Sequence, residues 1–142
     1  MSQVLVNSGM NRAREDICRV GRSLFERSYV HATAGNISMR IDNGFLITPT
    51  DACPGFLDPS DLALLDTNGV QLSGARASKT LALHRRIYSA TQRLSPQTAC
   101  VIHSHSTHLV ALSLKNTPLV HISVNICCFG CRRQEHPNSI AQ

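Results

Sequence analysis

The segment that most constrains this chain is "NISMRIDNGFLITPT", residues 36–50. Ile37, Met39 and Ile41 alternate with polar neighbours, the period of a strand with one buried side. "DNG" at 42–44 is a strong hairpin turn, and "FLITPT" returns as the second strand. The stretch before it has a different period. Ile17, Val20, Leu24 and Phe25 recur at helical spacing within residues 11–29, with charges on the other face and Gly21 tolerated inside. An amphipathic helix therefore leads into an antiparallel hairpin.

The remaining elements follow from local signals. "LDPSDLALLD" predicts a short turn of helix, with Asp58 as N-cap and Pro59 at the first helical position. "TNG" at 67–69 is a second hairpin signal, and "VQLSG" returns from it as a strand. Ser78 caps a predicted helix "KTLALHRRIYSATQ" in which Leu83 and Ile87 share one face. "TACVIHSH" reads as a strand, and "STHLVALSL" as a helix capped by Ser106. The order implies an α/β/α layered domain around a largely antiparallel sheet, filled mostly by aliphatic residues because the chain has no Trp.

Charge and hydropathy exclude some classes of function. The formal charge of +5 comes from scattered residues, among them Arg12, Arg14, Arg19, Arg85 and Arg132. No dense basic run with interleaved aromatics appears, so no nucleic-acid partner is expected; small anions such as phosphate esters suit this balance better. No apolar stretch approaches the roughly 20 residues that span a bilayer. The N-terminus lacks the pattern of a signal peptide, which makes cytoplasmic residence with reduced thiols the expectation.

Four short pieces are candidates for chemistry. In "VIHSHSTH", His103 and His105 are two residues apart on a strand and project to one face. Two such imidazoles provide two of the three protein ligands of an open catalytic zinc site, whereas an ordinary surface strand end is the plainer alternative. His108 falls on the following helix. In "TAGNIS", Gly35 and Asn36 suit a tight turn that leaves N–H groups and an amide for an anion. Thr50 in "TPT" offers a hydroxyl at a strand end. In "ASKT", Ser78 and Lys79 sit at a helix start, where unpaired N–H groups favour phosphate. Thr80, His84 and Tyr88 lie on roughly one helix face, where His84 either orients the site, shuttles a proton, or is a satisfied histidine under the sheet.

As a set, the order "GNIS … ITPT … SGxxxSKTxxLHxxIY … VIHxHSTH" resembles the class II aldolase/adducin N-terminal family. It is most similar to the branch of sugar-acid-phosphate enzymes that includes the 3-oxo-tetronate 4-phosphate decarboxylases. The resemblance implies that His103 and His105 are two of three zinc-binding histidines, zinc or another divalent metal being the cofactor. It implies that Gly35, Asn36, Thr50, Ser78 and Lys79 hold the phosphate of a phosphorylated sugar or sugar acid. It places Thr80 at the family's acidic, acid/base position, and it implies a homo-oligomer. The departures are Thr80 itself, which is no general base near neutral pH, and Asp51, a carboxylate where the family has glycine. The missing base favours decarboxylation over aldol cleavage. A non-catalytic, adducin-like interaction domain is the alternative.

After Leu114 the character of the sequence shifts. "KNTPLVHISVNICCFGCRRQEHPNSIAQ" carries three cysteines and no clear period, and the third metal histidine of the family is not recognisable in it. The expectation is an incomplete class II aldolase-like domain at 1–114 and an aberrant or divergent tail at 115–142. Cys128 and Cys131, with Cys127 and His136, make an alternative zinc set in that tail.

Overall fold

The structure, a computed structural model, describes residues 2–115. The tail expectations therefore lie outside the described residues. The elements are α1 (Ser2–Glu26), β1 (Asn36–Ile41), β2 (Gly44–Ile47), β3 (Ala63–Leu65), β4 (Gln71–Ser73), α2 (Leu81–Thr91), β5 (Cys100–His103) and α3 (Thr107–Ser113), with a 3₁₀ turn at Pro54–Phe56. The strands form one antiparallel sheet in the order β4-β3-β2-β1-β5.

Strand alternation builds two faces. Ile37, Leu46 and Leu62 pack with Ala13 and Ile17 of α1 on one side. Ile47, Ala63 and Leu65 pack with Phe45, Ala77 and Leu81 on the other. The second face also carries Tyr88 of α2, stacked on Phe45 with ring centroids 5.5 Å apart. These are the three layers expected from the sequence.

The predicted leading helix is longer at its start and shorter at its end. Met10 and Ala13 extend the apolar stripe of Ile17, Val20 and Leu24 toward the N-terminus, so α1 continues past residue 11. It ends at Glu26 because Ser28 takes a left-handed conformation, φ 61°. The Tyr29 N–H then donates to Leu24 O at 2.9 Å and the Ser28 N–H to Phe25 O at 3.0 Å, a Schellman closure built on serine.

Gly21 is required where the sequence suggested mere tolerance. A Cβ there would sit 2.5 Å from Pro54 O and 3.1 Å from Leu57 Cδ1, because the 3₁₀ turn lies directly against α1. Alanine inside a helix normally gains up to about 1 kcal/mol over glycine. Pressed against backbone it costs about 1–3 kcal/mol instead. Gly21→Ala is therefore expected to lower stability by about 1 kcal/mol or more in urea unfolding, reversing the propensity rule.

Three further expectations change. The short helix predicted after Asp58 is a turn: Asp58 Oδ1 accepts the Ser60 N–H at 2.8 Å and the Ser60 hydroxyl at 2.6 Å. The next residues pair with β2 as β3 because burying Ala63 and Leu65 in the sheet outweighs a weak local helix signal. Ser78 does not cap α2. It forms a turn in which its hydroxyl meets the Thr80 N–H at 3.4 Å, and the helix starts at Leu81 with Thr80 in the cap position. Ser106 does occupy the cap position of α3, without a side-chain cap bond. The buried face of α2 is His84 and Tyr88; Leu83 is 45% exposed and Ile87 only partly covered.

Candidate functional site

Four segments meet at one end of the sheet. The start of β1 pairs with the end of β5, placing Asn36 opposite His103. The chain leaving β2 runs beside the approach to α2: the Ser78 N–H donates to Thr48 O at 3.2 Å, Pro49 bridges Ala77, and the Thr50 N–H donates to Arg76 O at 2.9 Å. Thr48 also accepts the Ile37 N–H on its hydroxyl at 3.2 Å, tying β2 back to β1. Sheet register thus brings together all four motif segments.

Gly35 makes the β1–β5 contact possible. It adopts φ +89°, and a Cβ there would lie 2.9 Å from His103 O and 3.0 Å from Val30 Cγ1. Asn36 follows, nearly buried. Its amide is not free for an anion as the sequence suggested. Oδ1 faces His84 Nε2 at 2.5 Å, and Nδ2 faces His103 Nδ1 at 3.4 Å.

His103 is half-buried and His105 exposed, and their ring centroids are 4.8 Å apart. Burial, followed by the proximity of His105, holds His103 below the usual imidazole range. A neutral imidazole is the form that binds a metal. The pair supplies two soft nitrogen donors side by side, which fits two positions of a tetrahedral divalent site. Among the described residues no group of three His, Cys, Asp or Glu side chains converges on a metal position. Water, substrate or a donor elsewhere would complete the shell. His108 is exposed on α3, three residues after His105. His31 Nε2 meets Thr107 Oγ1 at 3.0 Å and ties the loop before β1 to the start of α3.

The hydroxyl groups fall as follows. Ser78 is nearly buried and shares a 2.9 Å hydrogen bond with Thr80 Oγ1. Lys79 is exposed, Thr50 half-buried, and Asp51 exposed in a left-handed conformation, φ 57°. An exposed Asp51 carboxylate is solvated, which limits its effect on a neighbouring anion.

Behind Asn36 lies a buried polar network that joins the His84 and Tyr88 face to Ser38, which the sequence did not single out. His84 is fully buried; its Nδ1 meets Ser38 Oγ at 2.7 Å. Ser38 Oγ meets the Tyr88 hydroxyl at 2.8 Å, and Tyr88 donates to Ser38 O at 3.1 Å. Burial, and secondarily His103, brings the His84 pKa down to about 4. Burial likewise pushes the Tyr88 phenol up. The signal for this network was present: Asn36 and Ser38 occupy alternate positions of β1, and His84 and Tyr88 are four apart on α2.

Fold and cluster together define an α/β/α domain whose candidate site residues gather at one end of its sheet. Residues 15–138 match the class II aldolase and adducin N-terminal domain family, and the chain belongs to that family. The 3-oxo-tetronate 4-phosphate decarboxylase of Cupriavidus necator is 52% identical over 104 residues, which cover 73% of this chain and 46% of that protein. The L-fuculose phosphate aldolase of Methanococcus vannielii is 32% identical over 105 residues, covering 74% of this chain and 55% of its own. Among solved structures, YgbL from Klebsiella pneumoniae superposes with a TM-score of 0.67 at 35% identity, over 75% of this chain and 50% of that one. The chain spans about half the length of the curated relatives it matches. No described helix is long and apolar enough to cross a membrane.

Proposed function

We propose that this chain carries the site of a divalent-metal-dependent carbon–carbon lyase that decarboxylates a phosphorylated 3-oxo sugar acid. The observation that carries the reading is the pairing of His103 with His105 beside Asn36, at the sheet end where Thr50 and Ser78 also gather. His103 and His105 would hold the metal, zinc being the ion best suited to imidazole donors of this kind. Bound there, the metal supplies a Lewis acid for the substrate's carbonyl oxygen. Gly35, Thr50, Ser78 and Lys79 are the proposed phosphate end, with Lys79 contributing the point charge; Asn36, whose amide is engaged by His84 and His103, sits beside them.

Thr80 favours one of the two reactions named for the relatives. Aldol cleavage must remove a hydroxyl proton, and a threonine whose oxygen is shared with Ser78 is no base for it. Breaking the bond to carbon dioxide from a 3-oxo acid removes no proton, so a site with threonine at this position supports it. The carbon left behind must still take up a proton, from water or another side chain.

Incubating the purified, zinc-supplemented chain with 3-oxo-tetronate 4-phosphate tests this reading. Carbon dioxide release that stops on chelation and returns with zinc is the expected result. Bound zinc with no release would overturn the decarboxylase assignment. Neither zinc nor release would favour the rival, an adducin-like interaction domain, to which Thr80 also points.

A further inference from the structure

Ser78 and Lys79 reach Thr50 through "SGARA", residues 73–77, which run from the end of β4 to the approach to α2. Apart from Arg76 its side chains are small, and all but Ala77 are exposed, so the segment has no apolar anchor of its own. Holding such a loop in one shape costs conformational entropy at every residue. One side is held by backbone: the Ala75 N–H donates to Asp61 O and the Thr50 N–H to Arg76 O, each at 2.9 Å. On the other side stands Gln71. Its backbone pairs with Leu65 in the sheet, and its side chain turns back along the chain. Nε2 lies 2.8 Å from Ala75 O, 3.1 Å from Gly74 O and 3.3 Å from Ser73 O. The Ala77 N–H donates to Oε1 at 3.1 Å. Carbonyl oxygens only accept and a backbone N–H only donates, so these partners settle which end of the amide is which. One exposed side chain, fixed at its root by the sheet, thus engages four of the five loop residues.

We propose that Gln71 is a positioning residue for the phosphate end: its amide sets the shape of residues 73–77 and thereby the place of Ser78 and Lys79 beside Thr50. The phosphate part rests on the lyase reading above; the hold on the loop does not. A loop that is ordered before the ligand arrives does not charge its ordering to the affinity, so the clamp tightens binding without touching the ligand. Its effect belongs to binding rather than to bond breaking, because the loop leads to Ser78 and Lys79 and not to the histidine pair. The four contacts are exposed and compete with water, whereas Leu46, Leu62 and Leu65 keep the core closed without them. A variant at this position therefore folds.

The test uses the ¹⁵N-labelled full chain and Gln71→Met, which keeps the length of the side chain and lacks both donor and acceptor. Amide exchange at Ala77 is expected to speed up roughly tenfold or more in the variant, while β1 and β2 exchange as in the wild type. Titration with inorganic phosphate, followed on the Ser78 and Lys79 amide signals, is expected to show roughly tenfold weaker binding. With 3-oxo-tetronate 4-phosphate and the zinc-supplemented chain, KM is expected to rise by a similar factor and kcat to hold within about twofold. Gln71→Glu keeps the shape but offers the three carbonyls no donor, and is expected to free Ala77 in the same way. Wild-type exchange at Ala77 in both variants overturns the proposal. So does unchanged phosphate affinity in a variant whose loop has loosened, or a fall in kcat with KM unchanged, which is the mark of general damage. If phosphate moves neither the Ser78 nor the Lys79 signal of the wild type, the phosphate end is wrong and this use of Gln71 falls with it. Exchange at Ala77 then still decides, by itself, whether Gln71 holds the loop.

Discussion

Replacing His103 and His105 together with alanine is expected to remove all zinc that survives dialysis, and replacing either alone to weaken binding by roughly a hundredfold or more. The rings are 4.8 Å apart, His103 ending β5 and His105 following two residues later, so the two donors lie side by side before any ion arrives. His103 is kept neutral by burial and by its neighbour, so at neutral pH no proton has to leave before coordination. With one ring gone, a single imidazole remains and the advantage of a prearranged pair disappears. His108→Ala is the control: it lies on α3, exposed, and should leave zinc unchanged. Metal content after dialysis and titration calorimetry both read the effect. Equal zinc in the wild type and the double variant would relocate the metal, with Cys127, Cys128, Cys131 and His136 the next set to mutate.

The same residues show what a sequence exposes and what it conceals. The hairpin at 36–47 was legible because alternation, turn chemistry and length all agree there. The closeness of His103 and His105 was anticipated from a two-residue spacing on a strand; β5 stops at His103, and the two rings nonetheless lie 4.8 Å apart. The buried side of α2 was half legible: periodicity put Leu83 and Ile87 on one face, while a satisfied histidine under the sheet was one of the readings open for His84, and the structure buries His84 and Tyr88. A histidine becomes a good core residue only when both ring nitrogens are satisfied, and its partners, Ser38 and Asn36, are 46 and 48 residues away. Asn36 was misread for the same reason, since a turn amide looks free until the helix that uses it is in place. The β3 segment shows the remaining limit: Asp58 and Pro59 do make a turn, but the sheet takes the chain immediately after it.

That buried histidine also sets the acid stability of the domain. The His84 pKa falls from 6.5 to about 4 in the folded chain, chiefly because burial penalises the charged ring. Above about pH 7 the ring is neutral in both folded and unfolded chains and contributes no slope. Between 6.5 and about 4 the unfolded chain binds a proton that the folded chain refuses, so stability falls as the pH falls. Integrated over that window the loss is on the order of 3 kcal/mol, a large share of what a domain of this size has. His103, also lowered, adds to the loss with the same sign. Urea unfolding followed from pH 8 toward pH 4 should show a plateau and then a steep decline. His84→Gln, which has nothing to titrate, should start lower but decline less, and an identical decline in both proteins would place the acid sensitivity elsewhere. Tyr88 mirrors the effect at the other extreme. Its phenol is pushed up by burial, so above about pH 10 the unfolded chain releases a proton that the folded chain keeps, and stability falls again. The network that fixes the site is therefore stable only in the uncharged state of both its buried titrating members, and a single packing decision, His84 and Tyr88 inward, accounts for both edges of the pH window.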